Sequence, residues 1–334
     1  MSSQQTTPQA AEAYSQRDER LLRTAAIESV AITVPERVVG NDEIAPNIGV
    51  SDDWIVARTG VRERHIAEPE ERLSDYATTA ARMALEQAGA HPSEIDLVLV
   101  ATMKADELSP NAAPLVAREL GAEYAGAMDI GSACTGFLSS LNVAASQIES
   151  ARANRVLVIG ADLLSRITDT GDRNTAALFA DGAGAAVVGP ANGKGSIGPI
   201  VLGADGSGAS SIYAKHDEGK LYMQGHDTFR EAVRRLSGAT LEAAALASIE
   251  LEDIDLFVYH QANTRILSAV GERLGLATDK VIDCIDRYGN TSSATIPIAL
   301  NEAKETGKLK SGDKVMLGAF GAGFTWGAGV VEWR

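Results

Sequence analysis

Along the chain, stretches in which apolar residues recur every three or four positions alternate with short runs that are apolar throughout. From Asp75 to Gln87 and from Asp227 to Ala247 the apolar residues, many of them alanine, fall on one side of a helical wheel and predict amphipathic helices. Leu97 to Ala101 and Val156 to Ile159 are continuous and rich in β-branched side chains. Such runs predict strands covered on both faces, and therefore sheets with helices on each side. Thr135 to Ala151 and Thr291 to Thr306 predict two more helices. Within them Leu138 to Ile148 and Ile296 to Leu300 are apolar nearly all round, as helices between two sheets would be. Ser74 is placed to cap the first helix, and Gly89 and Gly307 stand where helices should stop.

The pattern occurs twice. Glu94-Ile-Asp-Leu-Val-Leu-Val-Ala101 resembles Asp253-Ile-Asp-Leu-Phe-Val-Tyr-His260, and Arg155-Val-Leu-Val-Ile159 resembles Lys314-Val-Met-Leu-Gly318, with an offset of 159 residues in both pairs. A shared offset predicts two copies of one α/β unit. The expected division is a polar extension over residues 1–24, an N-terminal half over 25–185 and a C-terminal half over 186–334.

Composition narrows the partners. The 334 residues are 45% hydrophobic and 22% charged, ordinary for a globular protein, and 30 Lys and Arg against 45 Asp and Glu leave a net charge of −15. That surface repels phosphate backbones and anionic lipid, so neither nucleic acid nor membrane is an expected partner. No apolar stretch reads as a signal peptide or as the roughly 20-residue span of a membrane helix. Two cysteines, Cys134 and Cys284, cannot build a disulfide framework or a cysteine-rich zinc site and suit a reducing cytoplasm. The glycine-rich runs Gly182 to Gly189 and Gly318 to Gly327 lack the strand-to-helix setting of a dinucleotide site, so tight turns and close backbone approach explain them better than a dehydrogenase does.

The candidate chemistry begins at Gly131-Ser-Ala-Cys134-Thr-Gly-Phe137, where a strand-like segment gives way to a buried helix. A helix N-terminus favours the thiolate, and the small neighbours leave room for a substrate. Cys284 sits among apolar and acidic residues, which raise a thiol pKa, and reads as structural. Of five histidines, His260 alone ends a predicted central strand, where ligands gather in α/β sheets. His65, His91, His216 and His226 lie among polar or turn residues and read as surface, with His226 close to a basic helix. Asn290 opens a helix and is most simply an N-cap. Yet the repeat offset sets it opposite residue 131, which would bring Cys134, His260 and Asn290 to one locus between the halves.

These blocks, with Tyr288-Gly-Asn-Thr-Ser, Gly321-Ala-Gly-Phe-Thr-Trp-Gly327, Trp54-Ile-Val-Ala-Arg-Thr-Gly60 and Asp181-Gly-Ala-Gly-Ala-Ala-Val187, resemble in order the signature blocks of the β-ketoacyl-acyl-carrier-protein synthase III family. The resemblance covers everything from about Ala25 onward. It implies an α/β, thiolase-like, duplicated five-layer αβαβα sandwich, a homodimer, and an acyltransferase of fatty-acid or related lipid initiation. Such an enzyme loads an acyl group from acyl-CoA onto Cys134 and condenses it with malonyl-acyl-carrier protein, releasing CO2 and CoA. His260 and Asn290 would donate to the malonyl thioester oxygen, and the backbone N–H groups of Cys134 and Ala322 to the acyl oxyanion. Many relatives have glycine at the latter position; alanine keeps the donor if its φ is negative.

The same resemblance implies that Trp54 and Arg173 flank the CoA adenine, while Arg58, Thr59, Phe229 and Asn263 line the route inward. It implies no metal and no cofactor beyond the CoA thioester substrates. Arg230, Arg265 and Arg273 match carrier-docking positions in a cluster that includes Arg234 and Arg235, and Glu272 departs from the basic residue expected beside them. Ser109 stands where acetyl-primed relatives often carry a bulky aromatic that crosses the dimer interface, which implies a wider primer pocket. Two other readings share the fold. An acyltransferase to oxygen or nitrogen acceptors would not need Asn290, and a non-catalytic subunit of a heterodimeric condensing enzyme would not need Cys134.

Overall fold

The computed structural model describes residues 23–215 and 218–334. All but the last two residues of the expected polar extension, and His216, lie outside the described residues. In chain order the strands of the first half are β1 (Ala25–Thr33), β2 (Val38–Gly40), β3 (Glu63–His65), β4 (Leu97–Ala101), β5 (Gly126–Ile130), β6 (Val156–Leu163) and β7 (Asp181–Pro190). Those of the second are β8 (Ser196–Ala204), β9 (Ile212–Ala214), β10 (Leu221–Met223), β11 (Leu256–Tyr259), β12 (Lys314–Gly321) and β13 (Thr325–Glu332). The helices are α1 (Asn41–Ile48), α2 (Asp52–Thr59), α3 (Leu73–Ala88), α4 (Ala112–Leu120) and α5 (Gly136–Glu149). The second half adds α6 (Gly225–Leu246), α7 (Thr264–Leu274), the single turn α8 (Ile285–Tyr288) and α9 (Thr295–Glu305).

The duplication is visible in the sheets. One has five strands in the order β1-β7-β6-β4-β5, the other four in the order β11-β12-β13-β8. In the first, β4 and β6 are parallel and β6, β7 and β1 antiparallel; in the second, β11 and β12 are parallel and β12, β13 and β8 antiparallel. Even the register repeats, since Leu97 pairs with Val156 and Leu256 with Val315, each 159 residues on.

Alternation along the buried strands explains the layers. Leu97 and Leu99 face one core with Val156 and Val158, while Val98 and Val100 face another with Leu157 and Ile159. The first of these cores is shared by both halves: Leu138, Leu141 and Ile148 of α5 and Ile296, Ile298 and Leu300 of α9 meet Val258, Val315 and Leu317 of the second sheet. The outer faces are covered by α3 and α4 on one side and by α6 and α7 on the other. Five layers result, helix-sheet-helix-sheet-helix, as expected. Each fully buried Leu or Ile in the middle layer contributes about 1.5–3 kcal/mol by leaving water.

Two expectations about the fold need correction. Ser74 does not cap α3: it is buried in the first turn, and the N–H groups of Leu73 and Ser74 donate to the Asp106 carboxylate at 2.8 and 2.9 Å. The boundary between halves does not fall at 185/186, which lies inside β7; the chain leaves the first sheet after Pro190 and enters the second at Ser196. Gly182–Gly189 lies within β7 and Gly318–Gly327 within the β12–β13 hairpin, so neither run opens a helix. No helix among the described residues is long and apolar enough to cross a membrane.

Candidate active site

After β5 the chain turns through a short 3-10 segment, Ala133–Thr135, into α5. Its repeat equivalent, Ser292–Ala294, leads into α9. The first residues of the two turns are 159 apart, and both hold a positive φ, 45° at Ala133 and 52° at Ser292. The turns face each other across the seam between the halves. There the Ser292 hydroxyl lies 3.5 Å from the Cys134 sulfur. The end of β12 closes over the same turn, and a Cβ on Gly321 would stand 3.0 Å from the Cys134 nitrogen, so only glycine lets the strand come this near. That approach brings the backbone N–H of Ala322 within reach of Cys134. Ala322 is not among the residues with positive φ, so replacing glycine there leaves the donor in place.

His260 directly follows β11, its N–H donating to Gly318 O at 2.8 Å as the strand pairing runs out. Its Nδ1 lies 2.6 Å from the Thr295 hydroxyl, and burial pulls the ring down to about 3, leaving it neutral. Asn290 is not an N-cap. Its backbone pairs with Leu178 and Ala180 of the first half, its Oδ1 accepts from Ser292 N at 2.9 Å, and its Nδ2 lies 3.4 Å from Ala262 O. The accepted N–H fixes which end of the amide is oxygen and leaves the NH2 on the side of Ala262, and both residues line the cavity.

A cavity of about 530 Å3 joins these groups. Cys134, His260, Asn290 and Ala322 line one part, with Met103, Leu164, Leu178, Phe179, Ile212 and Met223 supplying apolar wall. Trp54, Arg58, Thr59, Arg173, Phe229 and Asn263, the six positions expected to meet CoA, all line it too. The Arg58 guanidinium stacks 4.7 Å from the Trp54 ring centroid. Thr59 and Asn263 are tied to protein: the Thr59 hydroxyl donates to Ile55 O, and Asn263 caps α7 while donating to Arg58 O. His226 lies at the exposed start of α6 on the cavity wall rather than apart from it. The buried Arg64 fastens this side by donating to Val39 O, Asn41 Oδ1 and Ala177 O.

Of the remaining candidates, Arg265 reaches the cavity, while Arg230 and Arg273 are exposed outside it. Ser109 is exposed and does not line the cavity of its own chain. Backbone N–H groups at the helix start do favour the thiolate, as expected, but although Cys134 is partly exposed the protein packed around it outweighs them and pushes the thiol up to about 11. Burial likewise raises Cys284, in keeping with a structural role. Sequence reasoning also passed over Asp162, Ser292 and Thr295. Asp162 is buried and accepts from Met103 N, Ser293 N, Ser293 Oγ and Thr102 Oγ1, tying the end of β4 to the turn before α9.

A duplicated five-layer sandwich with one thiol and two neutral donors at its seam defines a thiolase-fold acyltransferase. Two family models, 3-oxoacyl-[acyl-carrier-protein] synthase III and its C-terminal domain, match residues 128–206 and 244–333. The β-ketoacyl-[acyl-carrier-protein] synthase III of Listeria welshimeri is 43% identical over 310 residues, covering 92% of this chain and 99% of that protein. The crystal structure of 3-oxoacyl-[acyl-carrier-protein] synthase III from Aquifex aeolicus is 40% identical with a TM-score of 0.90, covering 92% of this chain and all of that one. A priming β-ketosynthase from a polyketide pathway superposes equally well at 37% identity, covering 93% and 97%. The chain belongs to the β-ketoacyl-acyl-carrier-protein synthase III family and is a condensing acyltransferase.

Proposed function

We propose that the chain primes fatty-acid or related chain synthesis by joining the acyl group of an acyl-CoA to malonyl-acyl-carrier protein. In the first half-reaction the Cys134 sulfur bonds the acyl carbon, the bond from that carbon to the CoA sulfur breaks, and the thiol proton ends on CoA. The N–H groups of Cys134 and Ala322 hold the oxygen on which charge develops. In the second, malonyl thioester loses CO2 and its carbon becomes an enolate whose oxygen accepts from His260 and Asn290. That carbon attacks the acyl carbon, the bond to Cys134 breaks, and the thiolate regains a proton from solvent. The reaction is driven by release of CO2 and needs neither metal nor redox cofactor.

One observation carries this reading: a single cavity joins Cys134, His260, Asn290 and Ala322 to the Trp54–Arg58 stack and Arg173. A cationic aromatic mouth suits an adenine nucleotide, and an apolar interior suits an acyl chain. Arg230, Arg265 and Arg273 supply the cations for an acidic carrier. A homodimer belongs to the reading, with Ser109 acting on the partner's pocket; Leu108 beside it is 92% exposed and apolar, as a residue awaiting a partner would be. A reduced thiol and soluble thioesters suit the cytoplasm.

Mass spectrometry after exposure to acetyl-, butyryl-, isobutyryl- and octanoyl-CoA tests the assignment. Wild type should gain an acyl mass on Cys134, Cys134→Ala none, and the longest acyl group accepted measures the primer pocket. His260→Ala and Asn290→Ala should still load while malonyl decarboxylation falls about 100-fold or more. Acylation that persists in Cys134→Ala, or equal loss of both half-reactions in the other two, would overturn it.

A further inference from the structure

Ser292 touches two of the three residues that the proposed reaction employs, Cys134 and Asn290, and reaches the third, His260, through Thr295. Its hydroxyl lies 3.5 Å from the Cys134 sulfur, its N–H donates to Asn290 Oδ1 at 2.9 Å, and its carbonyl oxygen lies 2.9 Å from the Thr295 hydroxyl oxygen. That same Thr295 oxygen is 2.6 Å from His260 Nδ1. Two of these contacts use the Ser292 backbone and any residue could make them. The contact with sulfur is the side chain's own.

We infer that Ser292 is a further catalytic residue: its hydroxyl donates a hydrogen bond to the Cys134 sulfur whenever that sulfur carries negative charge. The inference rests on Cys134 being the nucleophile. Negative sulfur arises twice, when the thiol proton departs before the acyl carbon is bonded, and when the bond to the acyl carbon breaks as the new carbon–carbon bond forms. The groups facing the sulfur leave few alternatives. Asp162 on β6 brings negative charge that disfavours the thiolate, and His260 just after β11 is neutral. The backbone N–H groups of Cys134 and Ala322 also face the sulfur, and they are the donors that the proposed reaction assigns to the thioester oxygen. Once they serve that oxygen, the Ser292 hydroxyl is the donor left for sulfur itself. Arg58, Arg173 and Arg265 face the same cavity from α2, from the loop before β7 and from α7.

Removing the hydroxyl need not disturb the turn. Its repeat equivalent, Ala133, holds nearly the same positive φ without one. Ser292→Ala therefore keeps both backbone contacts, and Ser292→Gly, at home at positive φ, is a second variant free of strain.

The test separates thiolate stability from acyl chemistry. Iodoacetamide alkylation of the Cys134 peptide, followed by mass spectrometry between pH 6 and 9, reads the thiolate without any thioester substrate. Both variants should alkylate about three- to tenfold more slowly at each pH, as expected for loss of one hydrogen bond to a charged group partly offset by the greater nucleophilicity of a more basic thiolate. Acyl loading should slow by a similar factor. Malonyl decarboxylation, measured in a Cys134→Ala background, should stay within twofold when Ser292→Ala is added, because Asn290 keeps its backbone partner. Alkylation within twofold of wild type in both variants, or decarboxylation that falls as far as loading, would overturn the inference. Absence of any acyl mass on wild-type Cys134 would instead overturn the functional reading.

Discussion

Burial decides what His260 can do. Drawn from the ordinary 6.5 down to about 3, the ring stays neutral at any pH where the enzyme works, so it serves as a fixed dipole and not as a titrating acid. Unfolding returns it to water, where it binds a proton near 6.5. Between that value and about 3 the unfolded chain holds a proton that the folded chain refuses, so this stability is full above 6.5 and is lost as pH falls. Urea unfolding at pH 7 and pH 5 should therefore cost wild type about 2 kcal/mol more than His260→Gln. Equal losses would mean that the ring is protonated in the fold. Cys134, His260 and Asn290 were legible in the sequence because short motifs and the repeat offset point to them. Ser292 and Asp162 were not, since their roles come from contacts that cross from one half to the other, 158 positions away for Ser292 and 131 for Asp162.

Helices α6 and α7 show why a cluster of arginines is not yet a docking surface. Arg234 is 2.5 Å from Glu231, and Arg235 is 2.7 Å from Asp205 while stacking 4.1 Å from the Trp326 ring. Arg230 has only Asp227 at 3.8 Å, and Arg265 and Arg273 form no ion pair among the described residues. Arg273→Glu should thus raise KM for malonyl-acyl-carrier protein severalfold and flatten its rise with salt, while Arg234→Glu changes it much less and acyl-CoA kinetics stay as they were. Matching effects of the two variants, or a wild-type KM indifferent to salt, would count against docking there. The long helices and the apolar strands were readable from periodicity to within a few residues. The cap of α3 was not, because its acceptor comes from Asp106, 33 positions beyond Leu73. The extent of β7 was hidden by its composition, since glycine and alanine are poor strand signals even where a fully buried strand needs their small volume.

The middle core belongs to neither half alone. Leu138 and Leu141 of α5 pack in one cluster with Ile296 and Leu300 of α9 and with both sheets, so parting the halves would strip apolar cover from each. Residues 23–193 expressed alone should lack a cooperative thermal transition and bind a hydrophobic dye, and a lone half that melts cooperatively with native circular dichroism would refute this. The chemistry depends on the same seam. Were the copies identical, the turns that carry Ala133 and Ser292 would be interchangeable, and a two-fold axis between them would demand the same side chain on both sides. Position 134 and its equivalent, 293, would then carry the same residue, and positions 133 and 292 would both carry the hydroxyl or both lack it. Joining the copies in one chain frees the two turns to diverge, so that one presents Cys134 and the other presents a hydroxyl to its sulfur. The active site is a broken symmetry: its asymmetry is stored in the difference between two loops that the fold otherwise treats alike.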